Sequence, residues 1–118
     1  LTQVSLSVFR AADVMLVPVI PTTLSLRTLD QINRFLRKRK IDDTILLPFF
    51  SMVDRRKGLH RTICDEREDH GSFLETAIPF SSAVERMGIS RAPLVSYDHS
   101  GVASRAFRAL WKEIFAAV

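Results

Sequence analysis

The apolar positions of this chain fall into short continuous runs separated by stretches of helical period. Val14–Ile20 is the first such run, rich in branched residues. That is the pattern of a parallel strand covered on both faces, so the sequence predicts a strand over 14–20. Pro18 lies inside it and cannot donate to a ladder, which predicts a bulge or a position with no neighbour on its donor side. Pro21 ends the run, and Thr22, Thr23 and Ser25 offer hydroxyls where a helix begins. The helix Leu24–Lys40 follows, with Leu29, Ile32 and Leu36 on one stripe and Arg27, Asp30, Arg34 and Arg37 elsewhere around it. After a turn over Ile41–Thr44, a second run predicts a strand over 45–51, again with a proline, Pro48. Strand, tight polar turn and amphipathic helix make half of a βαβ unit. Such units bind ligands at the strand's carboxyl end, so the turn Pro21–Ser25 is the first place to look for function.

The remaining segments extend the alternation. Leu1–Ala12 reads as a helix through Val4, Val8, Ala11 and Ala12, without a capping residue. Arg55–Gly58 is a basic loop. Leu59–His70 is a polar helix with a narrow apolar edge of Leu59 and Ile63, ended by Gly71. A third strand is predicted over 73–78. Pro79–Ser82 is a loop, Ala83–Met87 a short helix stopped by Gly88, and Ile89–Asp98 irregular. From Ser100 or Gly101 the last helix carries the stripe Ala103, Phe107, Leu110 and Ile114, with Trp111 and Phe115 beside it as core or partner-contact residues. The predicted fold class is therefore α/β: a parallel sheet with flanking helices. Three strands are few for such a sheet. Val14, Leu16, Val17 and Val19 cannot all be covered from this chain, which reads as a piece of a larger domain.

Composition narrows the classes. Of 118 residues, 47% are hydrophobic and 25% charged, which suits a folded domain rather than a disordered one. No apolar run is long enough to span a bilayer and no signal peptide is visible, so a cytoplasmic location is expected. The single cysteine, Cys64, reads as a filler and suits a reducing compartment. The net charge of +4 permits nucleic-acid binding, and its distribution is uneven. Arg37–Lys40 complements a helix dipole; Arg55-Arg56-Lys57 has no such explanation. His60, His70 and His99 lack ligand spacing, Asp65–Asp69 is a solvated charge run, and no Ser/His/Asp set is identifiable. Neither a metal ligand nor a catalytic residue is assigned.

Several segments resemble a known family. Phe9–Asp13 with Leu16–Leu29, Leu47–Lys57, Thr76–Met87 with Arg91–Pro93, and Arg105–Glu113 are similar, in order and spacing, to the later part of ParA-type partition ATPases. These are deviant Walker-A P-loop proteins, a group that also includes the MinD-like positioning ATPases. The resemblance implies a partial P-loop NTPase fold, with residues 1–118 the C-terminal portion of one ATPase domain. The family's phosphate loop is Gly-rich with two lysines, whereas Gly58, Gly71, Gly88 and Gly101 are scattered here. That loop and the acidic magnesium residue belong before Leu1. ATP and magnesium are thus the implied cofactors of the intact protein, with none expected bound by this chain. The implied activity is ATP-dependent chromosome or plasmid partitioning. It entails an ATP-bound dimer, nonspecific DNA binding, a ParB-like partner and homodimerisation or self-association.

Carried onto this sequence, the resemblance places Ser51, Met52 and Asp54 after the second strand, and Pro79, Phe80 and Ser81 in the later loop, on the base and ribose side of the nucleotide. Asp54 has an equal alternative as a helix cap. Ser81 or Ser82 is also a helix N-cap, with Glu85 placed for a capping box from Ser82. Phe80 departs from a basic residue in some relatives and can stack on a base or pack on protein. Arg55, Arg56, Lys57 and Arg61, with Arg86 and Arg91 near the late loop, are the DNA-binding candidates, or else a solvated face. The rival functions are a non-enzymatic DNA- or partner-binding module of the same fold, and a positioning ATPase for another cargo.

Overall fold

The computed structural model describes residues 2–118. Their order is α1 (Gln3–Ala11), β1 (Val14–Val19), α2 (Thr23–Lys38), β2 (Ile45–Phe50), α3 (Gly58–Asp65), α4 (Ser82–Ser90) and α5 (Val102–Ala117). Short 3-10 turns at Arg67–His70 and Leu94–Ser96 fill two of the connections. The fold is α/β, with β1 and β2 forming a two-strand parallel sheet in the register Val14↔Ile45 through Val19↔Phe50.

Backbone pairing explains both strand prolines. Ser51 N–H donates to the Val19 carbonyl at 2.9 Å, so the polar groups of Val19 face β2. Backbone groups alternate sides along a strand, which turns the Pro18 nitrogen to the open edge of β1, where no donor is needed. Pro48 is in the opposite situation. Its carbonyl accepts from Leu74 N–H at 2.9 Å, so its nitrogen faces the segment that follows α3 and has nothing to give it.

Here the structure corrects the expected third strand. Residues 73–78 run beside β2 without forming a strand. Leu74 N–H meets Pro48, yet the next bond to β2 joins Ile78 N–H to the Phe50 carbonyl at 2.9 Å. Four residues therefore span what two span on β2. The displaced Glu75 and Thr76 N–H groups donate instead to the Glu113 carboxylate on α5, at 2.6 and 2.9 Å. Burial would raise the Glu113 carboxyl, but the two backbone donors and Arg67 together outweigh it and hold the carboxyl below its ordinary value.

Apolar side chains alternate across the sheet into two clusters. Val19 and Phe50 face Leu29 of α2 and Ile63 of α3, with Val53 and Phe73. Leu47 and Phe49 face Leu110 and Ile114 of α5, with Leu74 and Ile78. Phe50 stacks on Phe73 with ring centroids 4.2 Å apart, worth about 0.5–1.5 kcal/mol beyond the area buried. Half-buried Cys64 borders the first cluster, and burial pushes its thiol up, as suits a filler. On α1, Leu6 and Phe9 are buried, and Phe9 meets the edge of Phe35 on α2.

Several local expectations change. α1 does have a cap, since the Thr2 hydroxyl accepts from Ser5 N–H. On α3 the inward residues are His60 and Ile63, while Leu59 is 52% exposed. The expected Leu59–His70 helix gives way after Asp65 to the 3-10 turn, and Gly71 follows at φ 120°, a conformation that favours glycine. α4 runs through Gly88 to Ser90 and ends at Arg91 in the left-handed region. Gly88 lies inside the helix, so it weakens the helix without stopping it. Ser81 caps α4 through Ala83 N–H, in place of the Ser82–Glu85 box. Trp111 and Phe115 are exposed and pack on one another. Among the described residues, no helix is long and apolar enough to cross a membrane.

The outer edge of β1 has no partner strand among the described residues, and Leu16 on that strand is 43% exposed. Such an edge is a template for pairing with another chain. Sedimentation velocity across a concentration series should show self-association that Leu16→Lys suppresses without unfolding the chain. A wild-type chain that stays monomeric throughout would show that Pro18 alone blunts the edge.

Candidate functional site

The loops that leave the carboxyl end of the sheet meet in one place. Leaving β2, Met52 adopts φ 54°, a left-handed conformation that costs a non-glycine residue about 1–2 kcal/mol. That turn brings Val53 beside Pro79. Val53 N–H donates to the Ile78 carbonyl at 3.1 Å, and Phe80 N–H donates to the Val53 carbonyl at 3.0 Å. Two loops far apart in sequence are stitched together by this single parallel bridge. Ser51, Met52, Pro79, Phe80 and Ser81 then line one cleft of about 120 Å³. Met52, Asp54 and Phe80 also border a second, of about 450 Å³, lined further by Ile20, Thr22, Arg56, Lys57 and His60. All six residues assigned to the base and ribose side thus fall at one end of the sheet.

Thr22 reaches this cleft because it is the N-cap of α2: its hydroxyl accepts from Ser25 N–H at 3.3 Å. The turn Pro21–Ser25 therefore does contribute to the cleft, through its capping residue.

Asp54 is not a helix cap. The N-cap of α3 is Lys57, which makes no side-chain capping bond. One Asp54 carboxylate oxygen accepts from Arg56 N–H at 3.1 Å and Arg56 Nε at 3.0 Å, and the other accepts from Nη2 at 3.0 Å. The aspartate closes a turn on itself and takes a bidentate guanidinium. The Arg56 side chain and its backbone N–H hold the Asp54 carboxyl at about 2, below the ordinary 3.8. Because the folded value is depressed, the stabilisation is present above pH 3.8 and is lost as pH falls through about 2.

His60 is the residue that sequence reasoning missed as a member of this site. It is 5% exposed, and its Nδ1 accepts from Asp54 N–H at 2.9 Å. The signal was its place with Ile63 and Cys64 at i, i+3 and i+4, a better inward stripe than one through Leu59.

The basic candidates divide between two places. Arg55, Arg56, Lys57 and Arg61 share the loop and the start of α3. Arg61 Nη1 donates to the Arg55 carbonyl at 2.6 Å, and Arg56 is engaged by Asp54. Arg86 lies on α4 with its guanidinium 5.9 Å from the Tyr97 ring centroid, and Arg91 ends that helix. Arg86 therefore packs on a residue that follows α4, and Arg91 is the helix's C-cap.

Among the described residues no group of three His, Cys, Asp or Glu side chains could hold a metal ion. Asp54, the carboxylate in the cleft, is already taken by Arg56, so these residues do not fit magnesium. The larger cleft, of about 450 Å³, falls within the usual size range of small-molecule pockets. The chain matches no protein-family model and no curated protein sequence.

The Asp54–Arg56 pair is open to direct measurement. An NMR pH titration should find the Asp54 side-chain carboxyl titrating near 2, moving up toward 3.8 in Arg56→Ala. A carboxyl that titrates near its ordinary value in the unsubstituted chain would show that the pair does not form.

Proposed function

We propose that this chain supplies the base-side part of the nucleotide site, and DNA contacts, of a ParA/MinD-type P-loop ATPase acting in chromosome or plasmid partitioning. The observation that carries the reading is the Val53–Pro79 bridge. It joins the two segments that resemble the family's nucleotide-side loops, at the carboxyl end of a parallel sheet, where α/β folds take their ligands.

The residues here bind and orient; none is positioned to transfer a phosphoryl group. Phe80 and Met52, both 46% exposed, offer an aromatic and a thioether surface to a base. Ser51 and Ser81 border the smaller cleft, with Ser81 also capping α4. ATP and magnesium would meet their phosphate-side contacts in a Gly-rich, two-lysine loop supplied by preceding sequence, and the active assembly would be a dimer with a ParB-like partner.

For DNA, the cations of one loop are not equivalent. Arg56 is neutralised locally by Asp54, whereas Arg55 and Lys57 make no ion pair among the described residues. Contacts from them would go to phosphates and weaken with salt. In the protein carrying its phosphate loop, replacing Arg55 and Lys57 by alanine should lower the salt slope of nonspecific DNA binding by about 2, while Arg56→Ala lowers it by less than about 1. An unchanged slope in the double variant would make the loop a solvated face.

A further inference from the structure

The larger cleft holds one buried polar group with a free donor. The His60 ring is 5% exposed and borders the cleft. Its Nδ1 accepts from Asp54 N–H, which fixes the tautomer: the ring proton sits on Nε2. No protein acceptor meets Nε2 among the described residues, and Nε2 is not sealed from solvent, as the corresponding nitrogen of His70 is. The cleft is also lined by the exposed apolar surfaces of Ile20, Met52 and Phe80 and by Lys57. The Asp54 carboxylate also borders the cleft, but its oxygens are occupied by Arg56.

A fixed donor in a cleft that also presents apolar surfaces, one of them aromatic, matches a planar heterocycle that carries a hydrogen-bond acceptor. We infer that His60 is the specificity-determining donor of this cleft, giving its Nε2–H to an acceptor on a purine nucleoside whose ring lies against Phe80 and Met52. This rests on the nucleotide reading above and adds to it a residue that the resemblance does not assign. The donor is selective because a bound ligand lacking the acceptor would cover this N–H from water and leave it unpaired. The Asp54 link also couples ligand to loop: the residue whose N–H orients His60 is the one whose carboxylate holds Arg56.

Two substitutions separate the ring's two roles. Asn at 60 places an amide oxygen near Nδ1, keeping the acceptor for Asp54 N–H and losing the donor. Gln places its amide nitrogen near Nε2, keeping the donor. Adenosine titrated into the isotope-labelled chain should bind at millimolar strength, since no phosphate contacts assist it, and should shift the His60 Nε2 signal with those of Met52 and Phe80. His60→Asn should weaken binding by about tenfold, and His60→Gln by no more than about threefold. If His60→Asn binds adenosine as well as the unsubstituted chain, the role of His60 is overturned while the nucleotide reading stands. If adenosine moves none of these signals, or inorganic phosphate alone moves them, the nucleotide reading of the cleft falls and the His60 role with it.

Discussion

The arrangement depends on one carboxylate. Glu113 of α5 accepts the N–H groups of Glu75 and Thr76, the two residues pushed out of register beside β2. Unpaired amides in that position would cost about 1–3 kcal/mol each once shielded from water. Bonds to an ionised acceptor are the stronger kind, although solvent reduces their worth at a site this open. The carboxyl is held below its ordinary 4.5, so its contribution is present above that value and is lost as pH falls through the lower folded one. With the bulge held, the chain regains β2 at Ile78 and carries Pro79 to Val53. The cleft loops meet because a helix at the far end of the sequence grips the segment before them.

β2 is the hinge of this scheme. Its two faces feed both apolar clusters, Phe50 on one and Leu47 and Phe49 on the other. Its Pro48 withholds a donor on the side of the bulge, and its exit through Met52 turns the chain toward Pro79. Rigidity in the strand and strain at its exit are a common pairing at ligand sites, where the surrounding structure holds a conformation that the residue alone disfavours.

The sequence was most readable where pattern is local. Val14–Ile20 and Ile45–Phe50 are continuous apolar runs, the stripe of α2 is regular, and Pro18 announced either a bulge or an open donor side. It was least readable where the outcome hangs on distant partners. Residues 73–78 have a strand's composition, and only the direction of the Pro48 nitrogen and the presence of Glu113 show why no strand forms there. Gly88 looked like a stop because glycine often follows a helix, yet the left-handed residue that ends α4 is Arg91. The segments 51–54 and 79–81 were legible in the sequence as candidates. Their internal commitments, Asp54 to Arg56 and His60 to Asp54 N–H, were not, because such bonds follow from a fold that brings the backbone round.

The central claim is that Glu113, through residues 75 and 76, sets the geometry of the cleft. Amide hydrogen exchange on Glu113→Gln tests it most directly, since the amide retains one acceptor oxygen and sets a donor against the second N–H. The account predicts that Glu75 and Thr76 are protected in the unsubstituted chain and lose that protection in the variant. The bridge amides of Val53 and Phe80 should loosen with them while the β1–β2 amides stay protected. Loss at Glu75 and Thr76 with Val53 and Phe80 unaffected would contradict it, as would fast exchange at Glu75 and Thr76 in the unsubstituted chain.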